Sequence, residues 1–79
     1  MKLKILSPEK ELYRSTVKGF NITTLSGEIT ILDDHEPIIS MFGKGTAYII
    51  DNQDKRQPIE LSAGFLEMTP ENELNVLTE

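Results

Sequence analysis

Apolar residues in this chain never recur at helical spacing for long enough to build an amphipathic helix. They come in short runs broken by turn signals. Residues 2–6 alternate, with Leu3 and Ile5 on one face, and residues 28–32 alternate Ile29 and Ile31 against Glu28 and Thr30. Residues 16–24 form the longest β-like run. Phe20, Ile22 and Thr24 share one face of it, and Gly19 sits where a bulge or a close backbone approach fits. Residues 38–42 suit either a strand or a single helical turn. Further strands are predicted over 46–50, 57–62, 64–69 and 74–77, with Pro58 demanding an edge strand or a strand start. Ser7-Pro8-Glu9, Ser26-Gly27, the loop 33–37, Gly43-Lys44-Gly45 and the polar stretches 51–56 and 70–73 are the turns. The pattern predicts an all-β fold, a sandwich or barrel, as a single domain over residues 1–79, with Phe20, Ile31, Leu61 and Phe65 in its core.

A chain of 79 residues is near the lower size for a self-sufficient core, and without cysteine neither disulfides nor thiolate metal sites can assist it. A formal net charge of −5 with no lysine or arginine block argues against nucleic-acid binding, which needs cations to neutralise phosphates. No apolar stretch approaches the roughly 18 residues of a membrane span, and the basic N-terminus has too short an apolar run for a signal peptide. Cytoplasmic residence follows as the expectation.

No catalytic constellation is visible. The only histidine, His35, lies among Asp33, Asp34 and Glu36, with no base–nucleophile pair in reach of the sequence pattern. Those acids read as a solvated turn, since the calcium-loop spacing is absent; weak cation chelation is the sharper alternative. Gly43-x-Gly45 lacks the later glycine and the following helix of a phosphate loop. The expectation is neither cofactor nor metal. Taken as plain residues, Gly27 supplies a backbone angle others resist, Glu28 is an outward strand residue, and His35 is a loop histidine.

Thr24-x-x-Gly27-Glu28-x-x-Ile31-Leu32-x-x-His35-x-Pro37 resembles the signature of the ε subunit of F-type ATP synthases, in its N-terminal β domain. Ser7-Pro8-Glu9 with Leu12-Tyr13 resembles the family's opening. Ala63-Gly64-Phe65-Leu66-Glu67 resembles its Gly-Gly-Phe-x-Glu segment with alanine for the first glycine, and Val76-Leu77 its closing strand. The resemblance implies a flattened β-sandwich and a non-catalytic rotor role, coupling the γ shaft to the c-ring. It also implies peripheral residence on the cytoplasmic face of the cell membrane, within a hetero-oligomeric complex and with no insertion of its own. It points to Ser7, His35 and Ser40 as γ contacts and to Gly27 and Glu28 as c-ring contacts.

In that family a helical hairpin follows the β domain, able to extend along γ or, in some members, to bind ATP. Here the sequence stops at Leu77-Thr78-Glu79, so the expectation is a coupling subunit with no ATP site and no extendable latch. The competing class is a stand-alone β-sandwich that binds a protein or ligand. A biotinyl or lipoyl carrier is disfavoured within it, because Lys44 lies between glycines and Lys55 beside Arg56.

Overall fold

The computed structural model describes residues 1–79. Nine strands follow one another: β1 (Lys2–Leu6), β2 (Glu11–Thr16), β3 (Gly19–Thr24), β4 (Gly27–Leu32), β5 (Ile38–Phe42), β6 (Gly45–Ile50), β7 (Arg56–Leu61), β8 (Gly64–Met68) and β9 (Glu73–Thr78). They form a five-stranded sheet in the order β2-β1-β9-β8-β5 and a four-stranded sheet in the order β4-β3-β6-β7. The fold is a β-sandwich. The chain changes sheet after β2, β4, β5 and β7, and every pair is antiparallel except β1 with β9.

Period-two alternation fixes which residues meet between the sheets. Leu3, Ile5, Leu66, Met68, Leu74 and Val76 come from one sheet, and Phe20, Ile22, Ile31, Ala47, Ile49 and Leu61 from the other. Burying each of these side chains other than Ala47 contributes about 1.5–3 kcal/mol, which a chain without cysteine depends on. Pro58 lies in β7, the edge of its sheet, where its missing N–H costs no ladder bond. Residues 38–42 are a strand, and Gly19 is a close approach. A Cβ there would come within 2.7 Å of Leu32 Cδ2 and 3.1 Å of the Ile31 carbonyl oxygen.

Two expectations need correction, and one strand lies where none was expected. The run 16–24 is two elements, because Val17 and Lys18 turn the chain from one sheet to the other. Val17 N donates to the Met1 carbonyl and Lys18 N to the Ile50 carbonyl, both at 2.9 Å. Residues 11–16 are a strand that alternation did not reveal. Phe65 is not core: it is 45% exposed, while its neighbour Leu66 is fully buried. Leu66 and Met68 take the inner face of β8, so Phe65 and Glu67 must take the outer one.

Candidate functional site

Outward alternation on the five-stranded sheet leaves an apolar row in open view. Met41 on β5 pairs with Phe65 on β8, Phe65 pairs with Leu77 on β9, and Leu77 pairs with Leu6 on β1. Ile39 stands two residues from Met41 on the same face. Met41 is 62% and Ile39 74% exposed. A row of this kind across four strands, bordered by Glu67, Asn75 and Glu73, has the apolar centre and polar rim of a protein interface. The sequence carried a signal for it, since Glu67 shares the parity of Phe65 on β8.

Ser7 follows β1 at one end of this row and lines a shallow depression with Phe65 and Leu77. Its backbone N donates to the Lys10 carbonyl at 2.9 Å and its Oγ to the same oxygen at 3.1 Å, which sets the turn after β1. Ser40 pairs with Leu66 and shares its inward parity, so its hydroxyl lies at the sheet edge and not on the apolar row. His35 lies at the opposite end of the sandwich, half-buried in the β4–β5 loop. Its N donates to the Leu32 carbonyl at 3.1 Å, and its Nδ1 lies 2.8 Å from the Glu36 carbonyl. Ser7, His35 and Ser40 therefore occupy three separate points around one sheet.

The loop carrying His35 is held firmly without being buried. Asp34 adopts φ 60°, which aspartate tolerates, and its N donates to Asn72 Oδ1 at 2.8 Å. The N-terminal ammonium of buried Met1 donates to the Val17 carbonyl at 3.0 Å and pairs with Asp33. The ammonium's hydrogen bond to Asp33 first, and the Asn72 amide second, hold the Asp33 carboxyl below its ordinary range. A carboxyl lowered on folding stabilises the fold above its unfolded value, about 3.9, and the benefit disappears as pH falls through the folded value. Asp33→Asn is therefore expected to lower the urea midpoint at neutral pH, with a gap from wild type that closes below about pH 4. A gap that does not narrow as the pH falls below about 4 would show that charge is not its cause. Asp33, Asp34, His35 and Glu36 do not converge, and no three acidic or histidine side chains are grouped to hold an ion.

Gly27 and Glu28 open β4 at the end of the sandwich away from His35. Gly27 has φ 122°, a backbone conformation that L side chains rarely adopt. Thr24 Oγ1 donates to the Gly27 carbonyl at 2.9 Å and accepts from Ser26 N at 3.1 Å, leaving Leu25 73% exposed at the tip. Leu25 N donates to the Met41 carbonyl at 2.9 Å, tying this hairpin to β5 of the other sheet. Glu28 is not simply free in solvent: buried Asn21 donates from Nδ2 to Glu28 Oε2 at 3.0 Å and to Thr30 Oγ1 at 2.9 Å. The carboxylate is thereby turned along the sheet face.

A family model described as the ATP synthase delta/epsilon chain β-sandwich domain matches residues 1–79. The chain is 29% identical over 79 residues to an ATP synthase epsilon chain of Aquifex aeolicus, of which it covers 58%. It is 33% identical over 79 residues to that of Clostridium kluyveri, covering 59%. To that of Granulibacter bethesdensis it is 35% identical over 69 residues, or 87% of this chain and 51% of the relative. The chain thus spans between half and three-fifths of the length of these curated relatives. In fold it superposes on a chain of the Euglena gracilis mitochondrial ATP synthase OSCP/F1/c-ring structure with TM-score 0.89. Sequence identity there is 19%, with 96% of this chain and 48% of that one covered. A chain of the Tetrahymena thermophila central stalk and c-ring structure matches with TM-score 0.77 and 13% identity, over 98% of this chain and 61% of that one. At those identities the likeness is one of fold.

Proposed function

The chain belongs to the family of ATP synthase delta/epsilon chain β-sandwich domains, and from that premise we propose that it is a non-catalytic part of the rotor, joining the γ shaft to the c-ring. The observation that carries the reading is the exposed row Ile39, Met41, Phe65 and Leu77, continued by half-buried Leu6, a surface suited to lasting burial by a protein partner. In this reading γ covers the outer face of the five-stranded sheet, with Ser7 beside the apolar row and Ser40 at its edge. His35 contributes from the far end of the same sheet, in a loop held by Asn72 and the Met1 ammonium. The opposite end, with Gly27, Glu28 and the exposed Leu25, meets the ring.

The action is mechanical. Rotation passes through a body only if the body does not yield, and this one is stiffened by paired strands, by the Leu25–Met41 backbone bond between sheets and by the tie from Asp34 to Asn72. Placement at the cytoplasmic face of the cell membrane, peripheral and within the assembled synthase, follows from the same reading.

Mixing this chain with a γ-containing subcomplex is expected to yield a stoichiometric species that coelutes at micromolar concentration. Separate migration of the two would refute the reading. In assembled synthase, Glu28→Lys reverses a charge where a ring contact is proposed and should depress ion-driven synthesis more than hydrolysis by the detached head. Equal effects on both activities would remove Glu28 from the ring contact.

A further inference from the structure

The outer face of the five-stranded sheet has two halves of different chemistry. Its β5–β8–β9 side carries the apolar row, and its β1–β2 side carries cations. Lys2 and Lys4 alternate with the buried Leu3 and Ile5, so both leave by the outer face. Arg14 stands directly opposite Lys4, and Lys2 opposite Thr16. Lys2, Lys4, Arg14 and Thr16 line one shallow depression, with Glu73 of β9 at its side. Three of the chain's eight lysines and arginines thus gather on one half-face of a protein with net charge −5.

Like charges directly opposite each other destabilise a strand pair. Relief within the chain is partial: Arg14 Nε donates to Glu11 Oε1 at 2.7 Å and Glu73 stands in register with Lys2, while Lys2 and Lys4 take part in no ion pair. No acid of the chain pairs with Lys4, so its place opposite Arg14 points outward, to something that supplies negative charge.

We infer that this basic tract receives carboxylates of γ, which makes the whole outer face one interface with an apolar anchor and an electrostatic guide. The inference rests on the reading of the apolar row as the γ-docking surface. Lys4 and Arg14 stand about 5 Å apart across the strands, and Lys2 about 7 Å further along β1. Two acids at i and i+3 or i+4 on a helix, about 5–6 Å apart, match that spacing. An anionic membrane fits less well. Glu73 pairs in register with Lys2, and Glu67 lies on the same face, so a uniformly negative surface would meet repulsion that a protein can avoid.

The test is the association rate of the full chain with the γ-containing subcomplex, measured from about 50 to 300 mM salt. Lys4→Glu removes the Lys4–Arg14 repulsion, so its unfolding midpoint should not fall below wild type. It should slow association about tenfold at the lowest salt and flatten the salt dependence, with a smaller change in dissociation. Wild-type rate and salt dependence in Lys4→Glu, alongside lost binding in Met41→Glu, would overturn this inference and leave the apolar docking surface standing. Wild-type behaviour in both variants would overturn both. Normal γ binding by Lys4→Glu with lost cosedimentation on anionic phospholipid vesicles would assign the tract to a membrane surface and overturn the inference as well.

Discussion

Met41→Glu is expected to weaken capture of γ by about two orders of magnitude while the domain remains folded. Met41 is 62% exposed on β5, an edge strand, so a carboxylate there stays in water in the free domain. Against γ the same carboxylate would be buried between Phe65 and the partner. A buried, unpaired charge costs about 3 kcal/mol or more, and each 1.4 kcal/mol is tenfold in affinity. Met41→Leu, which keeps the apolar area, should bind nearly as wild type. Titration calorimetry against the γ-containing subcomplex measures both. A folded Met41→Glu that binds at wild-type affinity would remove the outer face of the five-stranded sheet from the interface.

Gly64→Ala should produce the largest loss of stability among single-methyl additions. A Cβ at Gly64 would lie 1.9 Å from the Leu77 carbonyl oxygen and 2.9 Å from Thr78 Cα. Those atoms are backbone of β9, and no side-chain rotation can clear them. Overpacking costs about 1–3 kcal/mol when side chains can yield, so at least the top of that range is expected here. In a domain of this size 3 kcal/mol lowers the melting temperature by roughly 12–24 °C. Gly43→Ala is the control: its added methyl meets nothing within 4 Å, so stability should change by no more than about 1 kcal/mol. Equal melting temperatures for the two variants would contradict the packing of β8 against β9.

The strands that alternation announced were those with one wet and one dry face. In β1 and β4 the inward residues Leu3, Ile5 and Ile31 are separated by polar ones, and the pattern is unambiguous. In β2, Glu11–Thr16, most positions on both faces are solvated because it is an edge strand, so no period survives. The corner at Val17-Lys18 did leave a trace. Val17 and Phe20 are both buried but three residues apart, a break of phase that marks where the chain changes sheet. Phe65 and Leu66 are both apolar, and preference for aromatic cores chose the wrong one; the parity of Glu67 would have chosen correctly.

The candidate site was less legible for a reason of geometry. Met41, Phe65, Leu77 and Leu6 come from four strands scattered over the whole chain, and only the register aligns them. The basic tract is likewise invisible as a charge block, because Lys4 and Arg14 are ten positions apart in sequence and meet only through the β1–β2 pairing. The loop 33–37 was half legible: its turn residues announce a turn, but its ties to Asn72 and to the Met1 ammonium come from more than thirty positions away.

The parallel pairing of β1 with β9 has a consequence for how the domain comes into being on the ribosome. Lys2 aligns with Glu73 and Leu6 with Leu77, so the first strand made waits for the last before its inner position in the sheet exists. Until residues 73–78 leave the exit tunnel, β1 has only the edge strand β2 beside it, and Leu3 and Ile5 lack the Leu74 and Val76 that lie next to them. At roughly 5–20 residues per second the nascent chain spends several seconds in that state. Closing so long a loop is also entropically slow, which favours folding in one late step, once β9 is available, over piecewise assembly. A nascent chain stalled at residue 72 should remain protease-sensitive throughout, including its β3–β4 hairpin.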